Sequence, residues 1–307
     1  MWFWLSLAAL LCWSGSDLFS KMGCRDASDK HSHLKMISAV GVVMGLHAAW
    51  EIFIGGTVIT GRIFLAYLPV SLLYILSMLL GYLGLRYIEL SISSPICNAS
   101  GAIVALLAIC IHGERYPLPV LFALVLVCAG VVGLGIVEAR EDEALRRARQ
   151  EKGNYRYAKS ILALILPIAY CLLDAAGTFA DNLVLEKLST VTENYESSAN
   201  VAYELTFFAA GVLAFLYTFC ICKSEYRAKA EVPKYVGAIF ETAGQFAYIY
   251  AIADSRHLAL SAPIISAYCA VSVLWSRVFL KEKLSRKHYL MIALVVIGIV
   301  ILGVFDV

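Results

Sequence analysis

The chain is a succession of long apolar runs separated by short polar breaks. A helix needs roughly 20 apolar residues to cross the hydrocarbon of a bilayer, because every backbone group must be satisfied within the segment. Ten runs meet that length, and they predict spans at 2–20, 36–56, 63–85, 90–111, 117–137, 160–182, 198–221, 234–253, 260–279 and 289–305. Only one break is long and charged. It is "EAREDEALRRARQEKGNYRYAK", residues 138–159, and it reads as a solvated linker at the membrane surface. The expected fold is therefore an all-α polytopic membrane protein, with one five-helix unit over 1–137, the linker over 138–159 and a second unit over 160–307.

Two of the runs share an unusual pattern of polar positions. "SISSPICNASGAIVALL" (91–107) and "LALSAPIISAYCAVSVL" (258–274) each carry a proline and small polar residues within an apolar stretch. At an offset of 168, Tyr82, Ser93, Pro95 and Glu114 fall on Tyr250, Ser261, Pro263 and Glu282. Earlier in each half, "WSGSD" (13–17) falls on "YCLLD" (170–174) at an offset of 157. The chain thus repeats a five-span unit. Five is odd, so the second copy enters the membrane from the opposite side, giving the inverted repeat common in secondary transporters. The repeated prolines free backbone groups, and the small residues let helices approach closely.

Composition agrees with this reading. The chain is 61% hydrophobic and 16% charged, against about a quarter charged in soluble domains. Of 25 Lys and Arg residues, 21 lie in or beside the loops that follow the odd-numbered spans; the exceptions are Arg62, Arg115, Lys187 and Arg256. The positive-inside rule makes the basic side cytoplasmic, which places both termini outside. The opening "MWFWLSLAALLCWSGSDLFSK" lacks a basic leader region and reads as a retained first span. Most of the nine cysteines lie in apolar runs, where Cys behaves as a small hydrophobe. Cys220 and Cys222 have no second Cys/His pair beside them, so no metal and no cofactor is expected.

Ionisable groups deep in a bilayer are costly, and so are functional candidates. Glu241 falls near the middle of span 8 and Asp174 near the middle of span 6, each without a basic residue within one turn. Gln245 and Tyr248 share the face of Glu241 by i, i+4, i+7 spacing. Tyr170 lies one turn from Asp174, as Trp13 does from Asp17. Span 4 adds Asn98 and span 9 adds Tyr268. The expected substrate-binding set is Trp13, Asn98, Tyr170, Asp174, Glu241, Gln245, Tyr248 and Tyr268, with Glu241 and Asp174 as proton-coupling candidates. Carboxylates attract a cation and aromatic faces add to that attraction. Other acidic residues take blander readings: Asp17 pairs with Lys21, His47 pairs with Glu51, Glu204 and Asp181 are wetted near span ends, and Glu114 and Glu282 cap helices or pair with Arg115 and Lys283.

The ten spans in two halves resemble the EamA-type branch of the drug/metabolite transporter superfamily. So do "YIELSISSPI" running into "GER" and "AIADSRHLALSAPI" running into "KEK". The resemblance covers nearly the whole chain. It implies carriage of a small solute, such as an amino acid, another metabolite, a nucleotide sugar or a quaternary amine, often by proton coupling or exchange. It also implies a central cavity lined by spans 1, 3, 4, 6, 8 and 9, with less from spans 2 and 7. Many ten-span members are drawn with cytoplasmic termini, opposite to the charge asymmetry here.

The leading expectation is a secondary transporter of a cationic or zwitterionic amine, working by alternating access. A membrane-embedded enzyme is the alternative, but HExxH, GxGD and GxSxG are absent. A non-transporting scaffold or sensor is a third reading. "GVVGLG" (130–135) lacks the Lys-Ser/Thr end of a phosphate-binding loop, which argues against ATP-driven transport. Expected partners are a small-molecule substrate, the lipid bilayer and a second copy of the chain, with no nucleic acid.

Overall fold

A computed structural model describes residues 1–26, 29–88, 90–113, 115–139 and 162–305. The described residues form helices and connecting turns, without strands. The helices are α1 (Trp2–Cys24), α2 (Ser32–Phe53), α3 (Gly61–Tyr87), α4 (Leu90–Cys97), α5 (Ser100–His112) and α6 (Leu118–Ala139) in the first half. The second half holds α7 (Leu162–Ser189), α8 (Tyr195–Leu216), α9 (Ala228–Ile252), α10 (Leu258–Ser266), α11 (Tyr268–Phe279) and α12 (Arg286–Phe305). Most of the linker expected at 138–159 lies outside the described residues, as does Glu114.

Among the described residues, nine helical segments are long and apolar enough to cross a membrane. The remaining long helix is α9. Tyr235, Glu241, Gln245, Tyr248 and Tyr250 lower the apolarity of its last 18 residues, and it starts six residues before the predicted span. The outward faces of the bundle are apolar, with Leu11, Leu46, Val125 and Ile297 exposed.

The fourth and ninth spans are each broken, α4 from α5 and α10 from α11, and the sequence shows why. Pro95 and Pro263 cannot donate to the carbonyl four residues back, and each helix ends within a turn of its proline. At the first break Ala99 N–H turns to Ile96 O, 3.4 Å, and the Asn98 side chain donates to Ser94 O, 2.8 Å. At the second, Ala267 N–H reaches Pro263 O, 3.0 Å. Ala99 and Ala267 stand 168 positions apart, the offset of the sequence repeat.

Packing follows the same repeat. Helix α1 packs on α9 and α3 packs on α7, a pair of contacts that exchange when the halves are exchanged. Helix α2 packs on α8, α6 on α12, α5 on α10 and α4 on α11, each contact joining equivalent spans of the two halves. The α6–α12 contact shows the relation at atomic scale. A Cβ on Gly130 would lie 2.8 Å from Met291 O and 3.0 Å from Val295 N, and one on Gly298 would lie 2.8 Å from Ala123 O and 3.0 Å from Val127 N. Met291 and Val295 are themselves Ala123 and Val127 shifted by 168. Both backbones approach through the absent side chains, as in tightly packed membrane helix pairs.

At one end of the bundle the basic residues turn inward. Lys21 Nζ donates to Leu85 O and Ile88 O, 2.9 Å each, closing the C-terminus of α3. Lys35 bonds Asp29 Oδ2 at 2.8 Å, and Lys234 lies 3.2 Å from Glu231 Oε2. Lys21 is thus not the partner of Asp17: two free carbonyls at the end of α3 take two of its N–H donors instead.

Candidate substrate cavity

The breaks in spans 4 and 9 face a central cavity. All eight residues expected from the sequence line it. Trp13 comes from α1, Asn98 from the α4–α5 break, Tyr170 and Asp174 from α7, Glu241, Gln245 and Tyr248 from α9, and Tyr268 from the start of α11.

Three carboxyl groups meet here, each held by hydroxyls. Glu241 Oε2 accepts from Ser16 Oγ at 2.7 Å, and Asp174 Oδ2 accepts from Ser100 Oγ at 2.7 Å. Asp17 Oδ2 accepts from Ser94 Oγ and from Ser272 Oγ, the latter at 2.9 Å. Among the described residues, no Lys, Arg or His lines the cavity. The walls between the carboxyls are aromatic. The Trp13 ring lies 4.9 Å from that of Tyr248 and 5.9 Å from that of Tyr268, while Tyr74 sits edge-on to Tyr203 at 5.9 Å. Ser20 Oγ, Tyr82 Oη and Gln245 Nε2 border the cavity, are buried and have no hydrogen-bond partner among the described residues.

Several simpler readings of the acidic residues do not hold. Asp17 joins the cavity rather than pairing with Lys21. The expected pair of His47 with Glu51 is present at 4.0 Å, but Glu204 is the closer partner, Nδ1 to Oε1 at 2.8 Å. Glu204 is therefore not a wetted end residue: its side chain is 0% exposed, covered where α8 packs on α2. Asp181 is equally buried and accepts from Tyr67 Oη at 2.7 Å and Tyr74 Oη at 3.2 Å. Of the two readings of Glu282, capping holds and pairing with Lys283 does not: its Oε2 accepts from Ser91 N–H in the first turn of α4 at 3.3 Å. Span 7, expected to stand back, contributes Tyr203 to the cavity wall.

The sequence reading missed Asp17, Tyr74, Tyr82 and Tyr203 as cavity residues. A signal for the first was available, because Asp17 is the repeat equivalent of Asp174. The tyrosines have no such mark, since a Tyr in an apolar run reads equally as an interface residue.

The sequence matches the EamA-like transporter family twice, over residues 1–136 and 162–304. The chain belongs to the EamA-like transporter family. It is accordingly a multi-pass integral membrane protein of the drug/metabolite transporter superfamily. No curated protein matches the sequence. Among solved structures, 28 chains match. One of them, a crystal structure of a protein described no further, is 15% identical and superposes with a TM-score of 0.64 over 99% of this chain and 96% of its own. At that identity the match speaks for the fold. For an EamA-like transporter the family indicates carriage rather than catalysis, and leaves the solute open.

Proposed function

We propose that this EamA-like transporter is a secondary carrier of a small organic cation or zwitterionic amine, and that Glu241, Asp174 and Asp17 form the cation-binding pole of its site. The observation that supports this reading is the meeting of three carboxyls in one cavity whose lining holds seven Trp and Tyr rings and no basic residue. Carboxylates and desolvated aromatic faces attract a cation together. A nucleotide sugar fits less well, because its phosphates would enter a cavity already rich in carboxylates with no counter-charge. The unpartnered Gln245 Nε2 and Tyr82 Oη would serve an acceptor on the solute, as a zwitterion carries.

Alternating access then works between two five-span halves, 1–137 and 160–307, whose interface holds the solute. The Lys/Arg asymmetry argues for cytoplasmic loops after the odd-numbered spans. A thermal-shift screen tests the proposal, since a ligand bound only to the folded state stabilises it by about 2.7 kcal/mol at 100 times its Kd. Choline, tetraethylammonium and arginine should raise the melting temperature, and nucleotide sugars should not. Stabilisation by nucleotide sugars alone would overturn the cationic reading.

A further inference from the structure

Asp181 stands two turns along α7 from Asp174, behind the cavity wall. Its side chain is fully buried and does not line the cavity. Tyr67 Oη donates to one carboxylate oxygen at 2.7 Å, and Tyr74 Oη donates to the other at 3.2 Å. The Tyr74 hydroxyl also touches the hydroxyl of Tyr248 and lies 3.3 Å from Thr178 Oγ1, to which Tyr248 Oη donates at 3.1 Å. Tyr74, Tyr248 and Thr178 do line the cavity. A chain of hydroxyls therefore joins a buried carboxyl to the solute site.

The groups facing Asp181 are Tyr67 and Tyr74 from α3, Tyr203 from α8 and Tyr248 from α9, with Asp174 further along its own helix. None is a cation. An unpaired carboxylate inside a membrane is costly even with two donors, so the neutral acid is an accessible state. The two states need different hydrogen bonds. The carboxylate accepts from both tyrosines. The neutral acid has an O–H to give, so one tyrosine hydroxyl must turn away, and Tyr74 has Thr178 Oγ1 within reach.

We propose that Asp181 binds the coupling proton, delivered from the cavity through the hydroxyls of Tyr248 and Tyr74. In the transfer, Tyr74 passes its hydroxyl proton to the Asp181 carboxylate and takes one from Tyr248, which takes one from a hydronium ion in the cavity and leaves water behind. Only O–H bonds break and form, and one proton moves from cavity to Asp181. The network ties α3, α7 and α9 together, so its rearrangement acts on the packing between spans 3, 6 and 8. The word coupling rests on the cation-carrier reading above; the proton site does not.

The test is infrared titration of the purified full-length protein in lipid nanodiscs, without solute, following the carbonyl stretch of protonated carboxyl groups. The wild type should show a titrating band that is lost in Asp181→Asn, shifted in Tyr67→Phe and kept in Glu241→Gln. An unchanged titration in both Asp181→Asn and Tyr67→Phe would overturn the proposal, as would loss of the band on adding sodium at fixed pH. If Asp181→Asn does not fold, the shift in Tyr67→Phe decides alone. In proteoliposomes, uptake of tetraethylammonium driven by a pH gradient should fall at least ten-fold in Asp181→Asn, and undiminished uptake would overturn the coupling role. Absence of uptake in the wild type would remove the cation reading and leave the infrared result standing.

Discussion

Asp17 and Asp174, equivalent positions in the two halves, each accept a hydroxyl hydrogen bond from a broken span. Asp17 is held by Ser94 of α4 and Ser272 of α11, and Asp174 by Ser100 of α5. The two carboxyls thus approach one cavity from opposite halves, each leaning on a helix that a proline has interrupted. Replacing either by Asn should weaken binding of a cation about ten-fold or more, equivalent to ~1.4 kcal/mol. Isothermal titration with tetraethylammonium checks it, and an unchanged Kd in both variants would remove the aspartates from the site.

Glu241→Gln keeps shape and hydrogen bonding to Ser16 but removes the charge. It should weaken cation binding and flatten the pH dependence of that binding, with expression and membrane insertion intact, while the proton drive assigned to Asp181 remains. A carboxyl that releases its proton when a cation binds makes the two compete for the solute site. Unchanged Kd and unchanged pH dependence of binding would make Glu241 structural and leave Asp174 as the next carboxyl to test.

His47 and Glu204 form a pair that crosses from α2 to α8. Glu204→Ala strands a half-buried imidazole and breaks a contact at a buried interface, a loss of about 1–3 kcal/mol. Glu51→Ala should cost much less, because Glu51 lies 4.0 Å from the His47 ring. Melting temperatures of the two variants, measured side by side, give the comparison; equal losses would contradict the assignment.

Gly298→Leu should loosen the contact between α6 and α12, because even a Cβ there would lie 2.8 Å from Ala123 O. Overpacking of this kind costs about 1–3 kcal/mol. Gly130→Leu should do the same, since it meets Met291 O at the same distance. A melting temperature unchanged in both would argue against the close approach.

The charge asymmetry predicts that the C-terminus lies outside the cytoplasm. A reporter fused after residue 307 that fluoresces only in cytoplasm should stay dark. A bright signal would reverse the orientation and leave the fold as it is.

The sequence by itself determined what depends on local chemistry. Apolar run lengths set the spans, because a helix must cross a fixed thickness of hydrocarbon. Pro95 and Pro263 marked the two repeated segments, because a missing N–H frees a carbonyl of its own helix, while the breaks that follow them are seen only in the structure. The i, i+4 spacing put Glu241 and Gln245 on one face. Tertiary structure alone decided what each face meets. Lys21 is one turn from Asp17 in the chain, yet it turns to the carbonyls ending α3 while Asp17 turns to Ser94 and Ser272. Asp181 and Glu204 look wetted by their distance from mid-span, yet both are sealed by tyrosines or an imidazole from other helices. Depth along a helix is written in the run of residues around it. Burial and partnership depend on helices that are 64 to 255 residues away in the chain, and those contacts form only when the helices pack.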